Sequence, residues 1–199
     1  MTSTQKLTII ALFTSLIIAC DYALVSVSNV KLLNTLVFCS AYSFGFKVGA
    51  SIALLSELIW GIVTPNGFGG LIIPFLAGGE VLFAVAGYAA SKMWKLDELK
   101  AVSPVNLYFG ALIAICTFFW DLETNLATGL LEGARTFLEY MGVLSLGIPF
   151  AAIHEASDFV LGASLAPIVI LTFKRYAHRF SISSNLASAA SAPSSVGVS

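Results

Sequence analysis

Charged side chains are scarce in this chain. Lysine, arginine, aspartate and glutamate make up 11% of its 199 residues, against about 25% in an ordinary globular domain. The formal net charge is −1 and the basic residues are scattered, which argues against a nucleic-acid-binding surface. Apolar residues reach 58%, with a mean hydropathy of +0.92. The composition therefore indicates an integral membrane protein.

Cysteine and histidine are also few. The cysteines, Cys20, Cys39 and Cys116, lie in separate apolar runs without a C-x-x-C pair, which argues against a disulfide framework or a zinc site. His154 and His178 are not at metal-ligand spacing. The sequence also lacks a G-x-x-x-x-G-K-[ST] nucleotide-binding loop, so ATP-driven work would need a separate ATPase. We expect neither a metal nor a cofactor.

Long apolar segments dominate what is present. A bilayer core about 30 Å thick needs about 20 helical residues. We predict six spans, the second of them short, at residues 7–27, 32–46, 48–64, 68–91, 104–127 and 146–173. The segment LLEGARTFLEYMG, between the fifth and sixth spans, is typical of an amphipathic surface helix. The expected fold is an all-α membrane domain over residues 1–180, followed by a disordered Ser/Ala-rich tail over 181–199.

The distribution of positive charge predicts the orientation. An N-terminus in the cytoplasm leaves only Lys31 and Arg135 of the ten basic residues outside. The other eight are then cytoplasmic: Lys6, Lys47, Lys92, Lys95, Lys100, Lys174, Arg175 and Arg179. We therefore expect a multi-pass protein of the cell membrane with both termini in the cytoplasm.

Acidic side chains within the spans mark a candidate site. An ionised carboxylate near the bilayer centre costs about 2.5–3.5 kcal/mol on insertion scales, so these groups should face the bundle interior. They are Asp21, Glu57, Glu80, Asp121, Glu155 and Asp158, accompanied by His154. As Asp and Glu can pair, turn inward or stay protonated, the sequence leaves their state open.

Helical spacing places several polar residues on common faces. The fifth span carries one polar stripe, made of Thr117, Asp121, Asn125 and Thr128. On the sixth span, His154 and Asp158 are four residues apart and share a face. Both sets lie near the predicted outer ends of their spans, so we expect them to meet in an outward-facing pocket. Trp120, Trp60 and Tyr22 are also near span ends, where such residues often act as interface anchors.

The first span carries small residues at every fourth position. Ala11, Ser15, Ala19 and Ala23 would form a groove that allows another helix to approach closely. The spacing suits packing inside the bundle and contact with an external partner equally well.

Several segments, taken in order, resemble a known family. They are NVKLLNTLVF at the second span, the FGFKVGA turn, the IWGIVTPNGFGG loop, WDLETNLATG on the fifth span and IPFAAIHEASDFVLG on the sixth. Over residues 7–173 the chain resembles the substrate-binding S components of energy-coupling factor (ECF) transporters. The resemblance implies a subunit that is not an enzyme and that captures a vitamin or related micronutrient from outside. It also implies two kinds of partner, a membrane-embedded coupling subunit and two cytoplasmic ATPases.

The resemblance also suggests site residues. Ala11, Ser15 and Ala19 match the positions that contact the coupling subunit, and the loop around residues 26–31 would close over the ligand. The ligand would lie near Asn29, Trp120, Asp121, Asn125, His154 and Asp158. The start MTSTQK lacks the histidine of the cobalt and nickel members, which argues against those metals.

Two other functions are compatible with intramembrane acids. A proton-coupled secondary transporter could use Glu57, Glu80 and Asp158 as relay groups, although no inverted repeat is evident between residues 1–91 and 92–173. An intramembrane enzyme could use His154 with Glu155 or Asp158, but a matching nucleophile is missing from the sequence.

Overall fold

The fold, taken from a computed structural model, is built from helices. The structure describes residues 1–27, 29–65, 67–95 and 99–190, with side chains up to residue 173. These residues contain no strand. The helices are α1 (Ser3–Leu24), α2 (Leu33–Phe44), α3 (Phe46–Val63), α4 (Ile73–Met93, preceded by a 3₁₀ turn at Gly70–Ile72), α5 (Pro104–Leu131) and α6 (Phe137–Ala190).

Five of these helices are long and apolar enough to cross a membrane. They are α1, α3, α4 with its preceding turn, α5, and the Phe137–Phe173 part of α6. These helices support a multi-pass membrane protein. The sixth apolar helix, α2, has 12 residues and is about 18 Å long, well short of a bilayer core.

The short helix α2 lies in the interior of the bundle. Every residue from Leu33 to Tyr42 is buried, and the helix packs against α3, α4 and α6. Gly45, at φ +92°, makes the tight turn into α3, a conformation that glycine adopts without strain. At Gly87 of α4 an added Cβ would clash with the backbone carbonyl of Phe38, so α4 approaches α2 closely. Protein atoms, rather than lipid, therefore surround α2.

The start of α6 contradicts the predicted surface helix. The segment LLEGARTFLEYMG is divided between the last turn of α5, a turn at residues 132–136 and the first turns of α6. The carboxylate of Glu139 accepts hydrogen bonds from the backbone N–H groups of Arg135 (2.6 Å) and Thr136 (2.9 Å). The backbone N–H of Glu139 in turn donates to the Thr136 hydroxyl (3.4 Å). This capping box starts α6 nine residues before the predicted span at 146.

The other end of α6 overlaps the predicted tail. The backbone remains helical to Ala190, and residues 191–199 lie outside the described residues.

An apolar core occupies much of the space between the helices. Its largest fully buried apolar side chains include Phe13, Phe38, Phe83, Phe109 and Ile52. Phe38 packs against Phe109 with ring centroids 5.4 Å apart, joining α2 to α5. This core holds the helices in the register that brings their polar residues together.

Short connections place the end of α1 beside the start of α2, and the end of α5 beside the start of α6. At the same end, the hydroxyl of Tyr22 donates to the backbone carbonyl of Val63, which joins the last turns of α1 and α3. The polar residues described next lie toward this end of the bundle.

Candidate functional site

Asp158 is the centre of a buried polar network. Its side chain is fully buried on α6, and its Oδ2 accepts hydrogen bonds from Asn34 Nδ2 (2.6 Å) and from the hydroxyl of Thr117. Asn34 lies on α2 and Thr117 on α5, so the carboxylate links three helices. Because donors from two other helices point at one carboxylate, this region is a built polar site rather than a stray charge in lipid.

His154 connects Asp158 to a second carboxylate. Its Nδ1 is 3.1 Å from Oδ1 of Asp121 on α5. Its Nε2 is 3.2 Å from Nδ2 of Asn34 and 3.6 Å from Oδ2 of Asp158. The neutral tautomer with hydrogen on Nδ1 fits these contacts, since it donates to Asp121 and accepts from Asn34. The imidazole, which is 3% exposed, therefore bridges α5 to α2 within one network.

Trp120 lies beside this network with its ring held on two sides. Its Nε1–H donates to the backbone carbonyl of Leu76 on α4 at 3.2 Å, and its ring meets His154 edge-on at 5.6 Å. The ammonium of Lys31, in the loop between α1 and α2, lies 5.3 Å from the ring centroid. That distance is within the range of a cation–π interaction.

A second group of acids lies close to Lys31. Asp21, Glu57 and Glu80 come from α1, α3 and α4, and each is at most 2% exposed. Burial by itself lowers the pKa of Lys31, but the negative charges of Glu57, Asp21, Glu80 and Asp158 outweigh burial and raise it. The surrounding acids therefore favour the protonated form of Lys31.

A cavity adjoins the network between α5 and α6. It has a volume of about 260 Å³, close to the lower end of the size range of small-molecule sites. Its polar lining comes from Asp121, Asn125 and Glu155, and Gly147 provides space where α6 passes Asn125. Asp121 belongs to both the cavity and the network, since it lines the cavity and also bonds to His154.

The remaining site residues predicted on α5 and in the loop are placed differently. Asn125 Nδ2 donates to the carbonyl of Asp121 on its own helix (2.7 Å), and Thr128 likewise bonds to Thr124 (2.8 Å). These two lie outside the His154–Asp158 network, although Asn125 lines the cavity. Asn29, at φ +56°, accepts a hydrogen bond from the Ser157 hydroxyl through its backbone carbonyl (3.1 Å). That bond ties the loop to α6 one residue before Asp158.

The small residues of α1 face away from the bundle. The helix buries only Phe13, Thr14, Ile17 and Asp21, whereas Ala11, Ser15 and Ala19 are exposed. Packing of these three against another helix of this chain is therefore absent among the residues described.

Sequence reasoning missed Asn34 as a member of the site. It is the only carboxamide on α2 and stands in an apolar run, a signal that could have been used. The positive-charge pattern placed Lys31 outside the membrane but did not assign it to the site. Among the described residues, no three His, Cys, Asp or Glu side chains are grouped so that they could hold a metal ion.

Comparison of the chain with protein-family models, with curated proteins and with solved structures finds no match. A function for this chain therefore has to be inferred from the site itself.

Proposed function

We propose that this chain is the substrate-capture subunit of an ECF-type uptake transporter in the cell membrane. In this proposal it crosses the membrane six times with both termini in the cytoplasm, and α2 contributes a short, enclosed span. It binds a vitamin or related micronutrient from outside. A separate coupling subunit and two ATPase subunits then supply the energy for release into the cell.

The observation that carries the proposal is the polar network next to a cavity. Asp121 belongs to both, since its carboxylate contacts His154 and also lines the cavity. Buried polar groups are costly in a bilayer, and cells retain them where they bind or move a solute. The network holds Asp121 in position through His154 and Asn34, which is the preorganisation that a tight binding site needs.

The exposed stripe of α1 supports a partner in the membrane. Ala11, Ser15 and Ala19 present little side chain, so the backbone of another helix could approach closely. A lipid-facing surface has no need for small residues, because larger apolar residues serve as well. We assign this stripe to the coupling subunit.

Native mass spectrometry of the detergent-purified protein tests the capture function. We expect a small molecule to be released from the wild-type chain at no more than one per protein. Asp121→Ala should lose it, whereas Glu132→Ala, which removes an exposed acid at the end of the same helix, should retain it. A wild-type protein that binds no small molecule, even when purified from cells grown in rich medium, would contradict the proposal.

One observation favours a second candidate, a proton-coupled secondary transporter of a small solute. Glu57 and Glu80 are 1% and 0% exposed, and none of their carboxylate oxygens has a hydrogen-bond partner among the described residues. Buried carboxyl groups of this kind carry protons in pumps and transporters. This candidate predicts uptake by the chain without any partner.

A further inference from the structure

We propose that the face of Trp120 is a binding site for a small organic cation, and that Lys31 fills it until the ammonium group of the ligand takes its place. This inference rests on the proposed function and deepens it, because it assigns a chemical class to the captured ligand.

The first support is the geometry at Trp120. The ring is fixed by its hydrogen bond to Leu76 and by its edge contact with His154, so its plane is held in one orientation. One face of the ring carries an ammonium, the Nζ of Lys31, at 5.3 Å from the ring centroid. Trp is the best aromatic partner for a cation, and the attraction grows when water is excluded.

The second support is the balance of charge. Asp21, Glu57, Glu80 and Asp158 come from four different helices and are almost completely buried, and all four act electrostatically on Lys31. One ammonium is therefore set against several carboxyl groups. Carboxyl oxygens accept hydrogen bonds from an ammonium group in either protonation state, so this surrounding suits a cation better than an anion.

The third support is a set of buried carboxyl oxygens to which Lys31 does not bond. No ion pair joins its ammonium to a carboxylate of the described residues. Among the described residues, five buried carboxyl oxygens also have no hydrogen-bond partner. They are both oxygens of Glu57, both oxygens of Glu80, and Oδ1 of Asp158. A ligand that carries N–H donors could bond to these oxygens, which Lys31 does not do. Those bonds supply the free energy for displacing Lys31.

The cation that fits is organic rather than metallic. The acids do not form a group of three or more side chains that could hold a metal ion, within the residues that the structure describes. An aromatic face, by contrast, suits an ammonium group on a carbon skeleton.

The test replaces the side chain of Lys31 by a free amine. Lys31→Ala removes three methylenes and the ammonium, and n-propylammonium has the same atoms. We expect Lys31→Ala to be stabilised by propylammonium, with its folding equilibrium constant raised about tenfold at an amine concentration about ten times the Kd. 1-Propanol and propionate, which have the same carbon chain without the positive charge, should have no effect. Lys47→Ala removes an exposed lysine at the opposite end of the bundle and should not respond to propylammonium.

Each outcome decides the proposal. If Lys31→Ala folds only when propylammonium is present during expression and purification, that recovery is itself the expected result. If propylammonium neither stabilises the variant nor restores its folding, Lys31 is a structural counterion only and the inference is wrong. Equal stabilisation by propanol would likewise overturn it, because the site would then be a simple apolar cavity.

The charge of any molecule released from the wild-type chain separates this inference from the proposed function. A neutral or anionic ligand that is lost in Asp121→Ala would overturn the cation site but leave the capture function intact. A wild-type chain without any ligand would count against the capture function, and the response to propylammonium would still decide the cation site.

Discussion

The hydroxyl of Thr117 provides a quantitative test of the buried network. It donates to Oδ2 of Asp158 on α6, the same oxygen that accepts from Asn34 on α2. The carbonyl of Ile113 on its own helix lies 3.0 Å from the hydroxyl and competes for its single hydrogen. Thr117→Val keeps the shape of the side chain and removes the donor. The carboxylate of Asp158 would then lose one of its two donors in a site without access to water.

The expected cost follows from the type of bond. A hydrogen bond contributes about 0.5–1.5 kcal/mol between neutral groups and about 1.5–3 kcal/mol to a charged group in soluble proteins, and hydrogen bonds between helices in a membrane average about 0.6 kcal/mol. Because Asn34 still donates to Asp158 in the variant, we expect a loss of about 1–2 kcal/mol. That loss lowers the folding equilibrium constant by about 5–30-fold.

Thr128 provides the matched control on the same helix. Its hydroxyl donates to the carbonyl of Thr124 within α5, so Thr128→Val removes a bond within one helix. We expect this control to cost less than about 0.5 kcal/mol. The assay is reversible unfolding in mixed micelles of a mild detergent and dodecyl sulfate, followed by tryptophan fluorescence. Equal losses in the two variants would refute the idea that Thr117 stabilises Asp158.

A double-mutant cycle extends this test. Since Thr117 and Asn34 bond to the same oxygen, Thr117→Val and Asn34→Leu should be coupled by at least about 0.5 kcal/mol. Additive losses would mean that the two donors act independently.

Three further outcomes are expected. Asp121→Ala should lower ligand affinity at least about 100-fold while the protein remains folded, because the carboxylate of Asp121 lines the cavity. Unchanged affinity in a binding titration would show that the ligand binds elsewhere. Ser15→Trp should leave ligand binding unchanged but prevent co-purification of the coupling subunit, because Ser15 is exposed on α1. Normal assembly of this variant would show that the α1 stripe does not contact the coupling subunit. Gly87→Ala should lower the melting temperature strongly, because the added Cβ clashes with the carbonyl of Phe38. The control Gly78→Ala should not, because its Cβ meets no atom within 4 Å. Similar melting temperatures for the two variants would contradict the close α2–α4 contact.

Helical periodicity predicted that polar residues of α5 and α6 meet. The four-residue spacing of His154 and Asp158 placed both on one face of α6, and the structure brings that face to Thr117 and Asp121 on α5. Spacing alone could not tell which members of the α5 stripe reach another helix. The side-chain amide of Asn125 donates to the backbone carbonyl of Asp121 one turn earlier in the same helix, a bond that an Asn within a helix can form without any neighbouring helix.

The contribution of α2 was not predictable from its pattern. Because the helix is buried on all sides, its sequence has no polar face, and Asn34 stands in a run of apolar residues without any periodic signal. Its role becomes visible only when α5 and α6 are packed against it. The same burial explains how a helix of 12 residues can lie in a membrane bundle.

The early start of α6 has a different origin. The predicted span, 146–173, came from the length that a bilayer requires and lies within the apolar Phe137–Phe173 segment, whereas the helix itself begins at Phe137. The sequence did contain the signal, because Thr136 and Glu139 have the spacing of a capping box. Hydropathy measures where a helix can contact lipid, and local hydrogen bonds determine where it begins.

The transport behaviour of the purified chain tests the capture function most directly. Proteoliposomes that contain only this chain are incubated with the radiolabelled form of the compound that it releases in native mass spectrometry, with and without an inward proton gradient. The proposal predicts binding that saturates at no more than one molecule per chain and no accumulation inside under either condition. Accumulation above the external concentration, driven by the proton gradient, would contradict the proposal and identify the chain as a secondary transporter.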